Sequence, residues 1–461
     1  MTRVAIVGGG IAGLAAAFDV VAAEPGVDAV LFEAGERVGG NLRSEEVDGF
    51  RVEWAANGFL DSDPATIRLA ERLGLSGRLL PADGASARRY LFRGGRLHLL
   101  PASPRAFFAS RVLSVRGRLR VLAEPFARAA PRGADESVFD FAARRIGGEA
   151  ARTLVDALVS GLFAGDARAL SVASAFPKMR AMEAQHGSFA RAMIARRRGA
   201  ARGGSRGGPA GPGGRLVSFA AGMEELPAAL AARLGGRIRL GAPVTAWAPP
   251  DRSGGRHRLR LASGDANEWD AVLLACPPSA AARIVAASDG ALAAHLAAIP
   301  SAPIAMIALG YRLADVRASL DGFGFLVPRS EGVRPLGAVF DSNLFPGRAP
   351  SERALVRVLA GGACDPSAVD LSDDALVALA RSLLRAAVGI DADPVLTRVV
   401  RHRLGIPQYV VGHGARLEAI AQRLAAHPGL FVSGSGYRGV SVNACVAEAP
   451  VVAAALLRRS T

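Results

Sequence analysis

Arg3-Val4-Ala5-Ile6-Val7-Gly8-Gly9-Gly10-Ile11-Ala12-Gly13, continuing through Leu14 to Ala23, is the stretch whose reading decides the fold. Arg3 to Val7 is a β-branched-rich run of the kind that forms a buried parallel strand. The glycines follow at once, and Leu14 to Ala23 predicts an Ala-rich helix. A second apolar run, Ala29-Val30-Leu31-Phe32, ends in Glu33, 20 residues past Gly13. With 54 glycines in the chain a glycine pattern alone is weak evidence; the order strand, glycine turn, helix, strand, acid is what carries it. That order makes a dinucleotide-binding βαβ unit. Gly8 permits the tight turn, Gly9 and Gly10 let backbone approach a pyrophosphate, and Gly13 lets helix and strand pack closely. The helix start at Ile11 and Ala12 offers free N–H groups and a positive dipole end to phosphate. Glu33 would accept hydrogen bonds from a ribose diol.

The next residues, Glu33-Ala34-Gly35-Glu36-Arg37-Val38-Gly39-Gly40-Asn41, resemble the extension found in FAD proteins of the amine-oxidase type. The resemblance favours FAD over NAD. It has Arg37 neutralise the pyrophosphate, while Gly39 and Gly40 let the chain lie against the ribityl and the flavin, with Ala34 and Asn41 in the same stretch. Val47 to Phe59 reads as a β-excursion whose Glu53-Trp54-Ala55-Ala56-Asn57-Gly58 segment turns back toward the cofactor.

At 461 residues the chain is too long for one simple core and predicts roughly two or three subdomains. Half of it is apolar, and the net charge of +15 suggests an anionic partner. Cys276, Cys364 and Cys445 show no metal or redox spacing, so reduced thiols in a cytoplasmic protein are expected. The first strand begins at residue 3, so no signal peptide is expected, and no apolar stretch is long enough to span a bilayer. The seven histidines show no ligand spacing, and no metal is expected.

Arg88 to Arg93 and Arg96 to Leu100 flank Gly94-Gly95 and predict a hairpin. From Pro101 to Gly214 strand signals vanish. This stretch holds 18 arginines and one lysine against eight acids, a surplus of 11. Basic amphipathic helices of this texture suit an anionic bilayer surface as well as they suit an ordinary helical subdomain. Arg196 to Gly214 reads as a flexible Arg/Gly-rich loop; it lacks interleaved aromatics, so no nucleic acid is expected. Beyond Leu216 come Arg237 to Leu240, Val244 to Trp247, His257 to Ala262 and Trp269 to Ala275 as strands. Ile304 to Arg312, Gly324 to Val327, Leu336 to Asp341 and Ala354 to Leu359 suggest a mostly antiparallel sheet, and Leu376 to Val388 a helix.

Four further segments extend the resemblance to nearly the whole chain: Ser160 to Asp166 with Leu170-Ser171 and Ala175-Phe176-Pro177, Gly322 to Pro328, Ile406-Pro407-Gln408-Tyr409 with Gly412-His413, and Ser435 to Cys445. With the glycine motif they resemble the HemY-type protoporphyrinogen oxidases of the flavin amine-oxidase superfamily. This implies an α/β fold: a Rossmann-like FAD-binding domain (1–80, 215–290, 400–461), an antiparallel-sheet substrate domain (81–100, 291–399) and a helical, membrane-touching insertion (101–214). It places Val244 on the adenine side and Val440, Ser441 and Val442 at the flavin. Arg89 falls where the family pairs an arginine with a substrate propionate, and Gly161, Phe323 and Leu326 line the tetrapyrrole cavity. Ala55-Ala56 replaces the usual Gly-Pro, Ala444 a common Asp, and Ala449 a common Gly.

The activity so implied is FAD-dependent oxidation of protoporphyrinogen IX to protoporphyrin IX for haem biosynthesis. Six electrons leave in three two-electron steps, oxygen accepts them, and peroxide is produced. No triad or carboxylate pair is evident, so no catalytic side chain is assigned, and the flavin carries the redox chemistry. Coproporphyrinogen III oxidation is the nearest alternative. An amine oxidase, a carotenoid desaturase and a non-catalytic flavin-binding scaffold are more distant ones. The partners implied are a tetrapyrrole, molecular oxygen and an anionic face of the cytoplasmic membrane; a homodimer stays open.

Overall fold

The computed structural model describes residues 2–101, 103–129, 131, 133–200, 214–251, 255–316 and 319–458. Arg3–Val7 is the middle strand of a five-stranded parallel sheet. The order is Ile238–Arg239, Asp28–Phe32, Arg3–Val7, Ala271–Leu274, Leu430–Val432. Its strands come from the start, middle and end of the chain, and both faces are covered, which explains the unbroken apolar runs. Helices Ile11–Ala23, Glu225–Leu234 and Val442–Arg458 bury one face through Leu14, Val20, Leu230, Val446 and Leu456. The three-stranded antiparallel sheet Val244–Ala248, His257–Leu261, Ala266–Trp269 buries the other, together with helices Pro278–Val285, Gly290–Ala297 and His413–Ala425.

Trp269 to Ala275, expected as one strand, is two. The chain passes from the antiparallel to the parallel sheet at Asp270, whose carboxylate takes the Arg3 backbone N–H at 2.8 Å. Ala266–Trp269 is half exposed, whereas Ala271–Leu274 is buried throughout.

A seven-stranded sheet forms the second unit. Its order is Leu396–Pro407, Ser301–Arg312, Arg353–Gly361, Pro335–Val339, Gly324–Leu326, Arg89–Arg93, Arg96–Leu99. Neighbours are antiparallel except Gly324–Leu326 and Arg89–Arg93, which run parallel. Gly94 and Gly95, at φ 57° and 74°, make the hairpin turn, whose type needs the left-handed region twice. Helix Asp373–Val388 covers one face through Leu376, Ala380, Leu383 and Leu384. Two expected boundaries shift. Leu396–Pro407 pairs along Ser301–Arg312 and so carries this sheet past 399. Helix Gly290–Ala297 buries Leu292 and Leu296 beside the parallel sheet, so it does not open the antiparallel unit.

Between Pro104 and Ala200 every regular element among the described residues is helical, around Phe139, Phe141, Val159, Phe163 and Leu170. Helix Phe189–Ala200 takes up the start of the loop expected from Arg196, and 201–213 lie outside the described residues. Fully buried Arg145 pairs with Glu124, and Arg144 and Arg180 reach Glu183 at 2.7 and 2.6 Å. Among the described residues, Arg105, Arg111, Arg116 and Arg128 of this stretch are exposed. Among the described residues no helix is long and apolar enough to cross a membrane.

Candidate active site

The glycine turn is built by three different constraints. Gly8 sits at φ +114°, where a β-carbon would stand 2.8 Å from the Ala275 carbonyl oxygen. A β-carbon on Gly13 would stand 2.0 Å from the Gly8 carbonyl oxygen, so helix and strand approach this closely only through glycine. At Gly10, by contrast, a β-carbon would meet nothing within 4 Å. The helix it caps has no side-chain cap and no acid in its first turn. Its leading N–H groups and positive dipole end at Ile11 and Ala12 therefore remain for an anion.

Glu33 follows directly on the strand Asp28–Phe32 and accepts from Gly9 N at 2.7 Å and Gly35 N at 2.8 Å, enclosing Ala34. Ala242 N donates to Glu33 O at 2.9 Å, and half-buried Val244, two residues on, packs against the core that holds Phe32. Arg37, expected as a pyrophosphate counter-ion, braces the backbone of its own turn. Its guanidinium donates to Val38 O at 2.9 Å and Gly40 O at 2.7 Å, and burial lowers its pKa. It thereby shapes the turn laid over Gly10, where Gly39 N donates to Gly9 O at 2.7 Å and Asn41 follows at the surface.

Asn57 and Gly58 differ in what they do. Asn57 Nδ2 donates to Asp341 Oδ1 at 2.7 Å, and its Oδ1 is buried without a partner. A β-carbon on Gly58 would stand 2.3 Å from Val217 O, so this glycine lets the turn pack closely on that strand. Asp341 is ion-paired with Arg357, which also donates to Glu53 O at 2.6 Å and Ala55 O at 3.1 Å. This clamp holds the turn in which Ala55-Ala56 replaces Gly-Pro. Sequence reading missed Arg357, although an arginine inside the apolar strand Ala354 to Leu359 was a usable signal.

The carboxy-terminal turn comes back to the same place. The β-carbon position of Gly434 lies 3.7 Å from Ala12 Cβ. Val440 packs on the helical core and Val442 on the parallel-sheet core, while Ser441 Oγ accepts from Ala444 N at 3.1 Å at the start of the last helix. Asn443 Nδ2 ties that helix to Leu60 O at 2.8 Å. Burial pushes the Cys445 thiol up to about 12, so it stays protonated at neutral pH and is a poor nucleophile for a covalent flavin link.

Residues 11–457 match the profile of the family described as flavin containing amine oxidoreductase. The chain belongs to that family. As a flavin-containing amine oxidoreductase it is an FAD-dependent enzyme, and its residues fit the cofactor: the cradle at Gly10, the uncapped helix start, Glu33 at the strand end, and the orphaned acceptor of Asn57. Protoporphyrinogen oxidase of Bos taurus is 34% identical over 490 residues, 98% of each chain. Coproporphyrinogen III oxidase of Bacillus subtilis is 28% identical over 458 residues, 96% of this chain and 95% of its own. A solved structure from Exiguobacterium sp. 255-15, provisionally named a protoporphyrinogen oxidase, superposes with a TM-score of 0.83 at 26% identity, covering 99% and 98% of the two chains.

This flavin-containing amine oxidoreductase also gathers the four residues expected to meet substrate. Arg89 pairs with Gly324 and Leu91 with Leu326, so Arg89 and Leu326 share one face of the sheet. Phe325 turns to the opposite core with Phe92. Gly324 sits at φ +135°, where the strand departs from simple alternation, and Phe323 lies under Arg89, its ring centroid 5.2 Å from the guanidinium carbon. A β-carbon on Gly161 would stand 2.3 Å from Leu326 Cδ2, so helix Asp156–Phe163 seats directly on that wall. Arg89 is solvent-accessible and has no carboxylate partner among the described residues, and the surrounding protein lowers its pKa by desolvation.

Proposed function

We propose that this chain oxidises protoporphyrinogen IX to protoporphyrin IX. The observation that carries the reading is Arg89, a cation without a carboxylate partner among the described residues, set over Phe323 on the face that holds Leu326. A flexible, largely apolar macrocycle with propionates along one edge suits that pairing, and the bovine relative at 34% identity supports it. Six electrons and six protons leave the macrocycle, and three oxygen molecules take them up as three hydrogen peroxides. Bound flavin supplies the two-electron redox chemistry. The protein's part is placement. Arg89 fixes a propionate through a two-point contact, and Phe323, Leu326 and the helix over Gly161 form an apolar wall that limits water. The Asp341–Arg357 clamp orients Asn57 and its turn.

Val115, Leu119 and Leu122 lie on one face of helix Val115–Leu122 and are 63%, 59% and 49% exposed; nearby Phe126 is 85% exposed. With exposed Arg105, Arg111, Arg116 and Arg128 around them, these side chains support peripheral binding to an anionic bilayer.

Coproporphyrinogen III is the second reading, favoured by the Bacillus subtilis relative. Anaerobic mixing of the holoprotein with each porphyrinogen, followed by flavin bleaching, separates the two. Faster bleaching by protoporphyrinogen is expected. Faster bleaching by coproporphyrinogen would reverse the assignment, and bleaching by neither would remove both.

A further inference from the structure

In the motif Ile406-Pro407-Gln408-Tyr409, Gly412-His413, where strand Leu396–Pro407 gives way to helix His413–Ala425, Gln408, Tyr409 and His413 are buried. Tyr409 is a clip. Its hydroxyl donates to Ser435 O at 2.7 Å and accepts from Gly439 N at 2.7 Å. These two residues bracket the turn that joins strand Leu430–Val432 to the last helix. Gly434 and Gly439 sit there at φ +121° and +153°, so the turn has unusual backbone freedom to lose on ordering. An anchor bound to both ends removes that freedom in advance of any ligand.

His413 backs the clip. Its ring stacks on Tyr409 with centroids 4.2 Å apart and planes at 16°, and its Nε2 lies 3.0 Å from Tyr437 O in the same turn. Burial lowers the His413 pKa, which favours the neutral ring with one N–H to give, and Tyr437 O takes it. On the other side, Gln408 Nε2 donates to Phe163 O at 2.8 Å. Phe163 ends the helix that carries Gly161. The motif thus holds the carboxy-terminal turn and the substrate-wall helix on one short segment.

We propose that Tyr409 is a positioning residue for the flavin. By fixing Ser435 and Gly439 it sets the edge formed by Val440, Ser441 and Val442, with His413 as its support. The inference rests on the reading that these three residues meet the flavin.

The test is FAD titration of apoprotein, with the visible flavin spectrum and kcat and KM measured alongside. Tyr409→Phe keeps the packing and removes both hydrogen bonds. It is expected to raise the FAD Kd about tenfold, to shift the visible spectrum, and to lower kcat while KM for porphyrinogen is unchanged. His413→Phe keeps the stacked ring and removes only the donor to Tyr437. About a threefold rise in Kd is expected, and this variant decides the matter if Tyr409→Phe does not fold. Parent-like FAD affinity and spectrum in these variants, even with a lower apoprotein Tm, would make Tyr409 a packing residue and overturn the proposal. A parent holoprotein that oxidises no porphyrinogen would defeat the proposed substrate while leaving the FAD titration to decide this inference.

Discussion

Arg357 and Asp341 form an ion pair beneath the turn from Trp54 to Gly58, with side chains only 4% and 5% exposed. Arg357 reaches past Asp341 to the Glu53 and Ala55 carbonyls, and Asp341 reaches the Asn57 amide. Arg357→Ala strands the Asp341 carboxylate in the core and is expected to cost about 3–5 kcal/mol of stability. Arg357→Met combined with Asp341→Leu replaces the pair by apolar packing and should recover most of that loss. FAD affinity should stay low in the double variant, because nothing then orients Asn57 or holds the two carbonyls. Thermal melts and FAD titration of the three proteins check this; parent FAD affinity in the double variant would confine the pair to packing.

Gly10 and Gly13 should respond oppositely to alanine. Gly13→Ala drives a methyl into the Gly8 carbonyl at 2.0 Å, and a stability loss of about 1–3 kcal/mol is expected. Gly10→Ala meets nothing within 4 Å, so Tm of the apoprotein should be unchanged while FAD binding weakens at least about tenfold. Parent affinity in Gly10→Ala would show that the pyrophosphate does not lie over this residue.

Arg89→Ala should lose about 1.5–3 kcal/mol in kcat/KM for the porphyrinogen, with FAD content and Tm unchanged, because among the described residues no carboxylate of the protein depends on it. Arg89→Lys should recover only part of the loss, since an ammonium lacks the planar two-point fork. Steady-state kinetics on FAD-loaded variants give the answer, and near-parent turnover in Arg89→Ala would leave it a surface residue.

Leu119→Ser with Phe126→Ser removes two exposed apolar side chains without touching the lobe's buried ion pairs. Sedimentation with anionic vesicles should show weaker binding by the variant. Binding of the parent should fall as salt rises, through screening of the exposed arginines. Equal binding of the parent to neutral and anionic vesicles would remove the electrostatic part of the proposal.

Local sequence sufficed wherever neighbours in the chain set the constraint. Strand, glycine turn and helix at Arg3 to Ala23 follow from β-branched residues, glycines and alanines next to one another, and Gly94-Gly95 specifies its own hairpin. Arg89, Phe323 and Leu326 were legible as candidates through resemblance, but their sharing of one face depends on the parallel pairing of Gly324–Leu326 with Arg89–Arg93. Other roles were decided by tertiary structure alone. Arg37 turned to Val38 O and Gly40 O, Gly58 met Val217, and Trp269 to Ala275 divided between two sheets. Arg357 and Tyr409 reach partners far along the chain, Arg357 at 304 positions' separation from Glu53 and Tyr409 at 26 and 30 from Ser435 and Gly439. A buried polar group must find a partner wherever the fold brings one, and which carbonyl or amide that is depends on packing between segments that sequence adjacency does not encode.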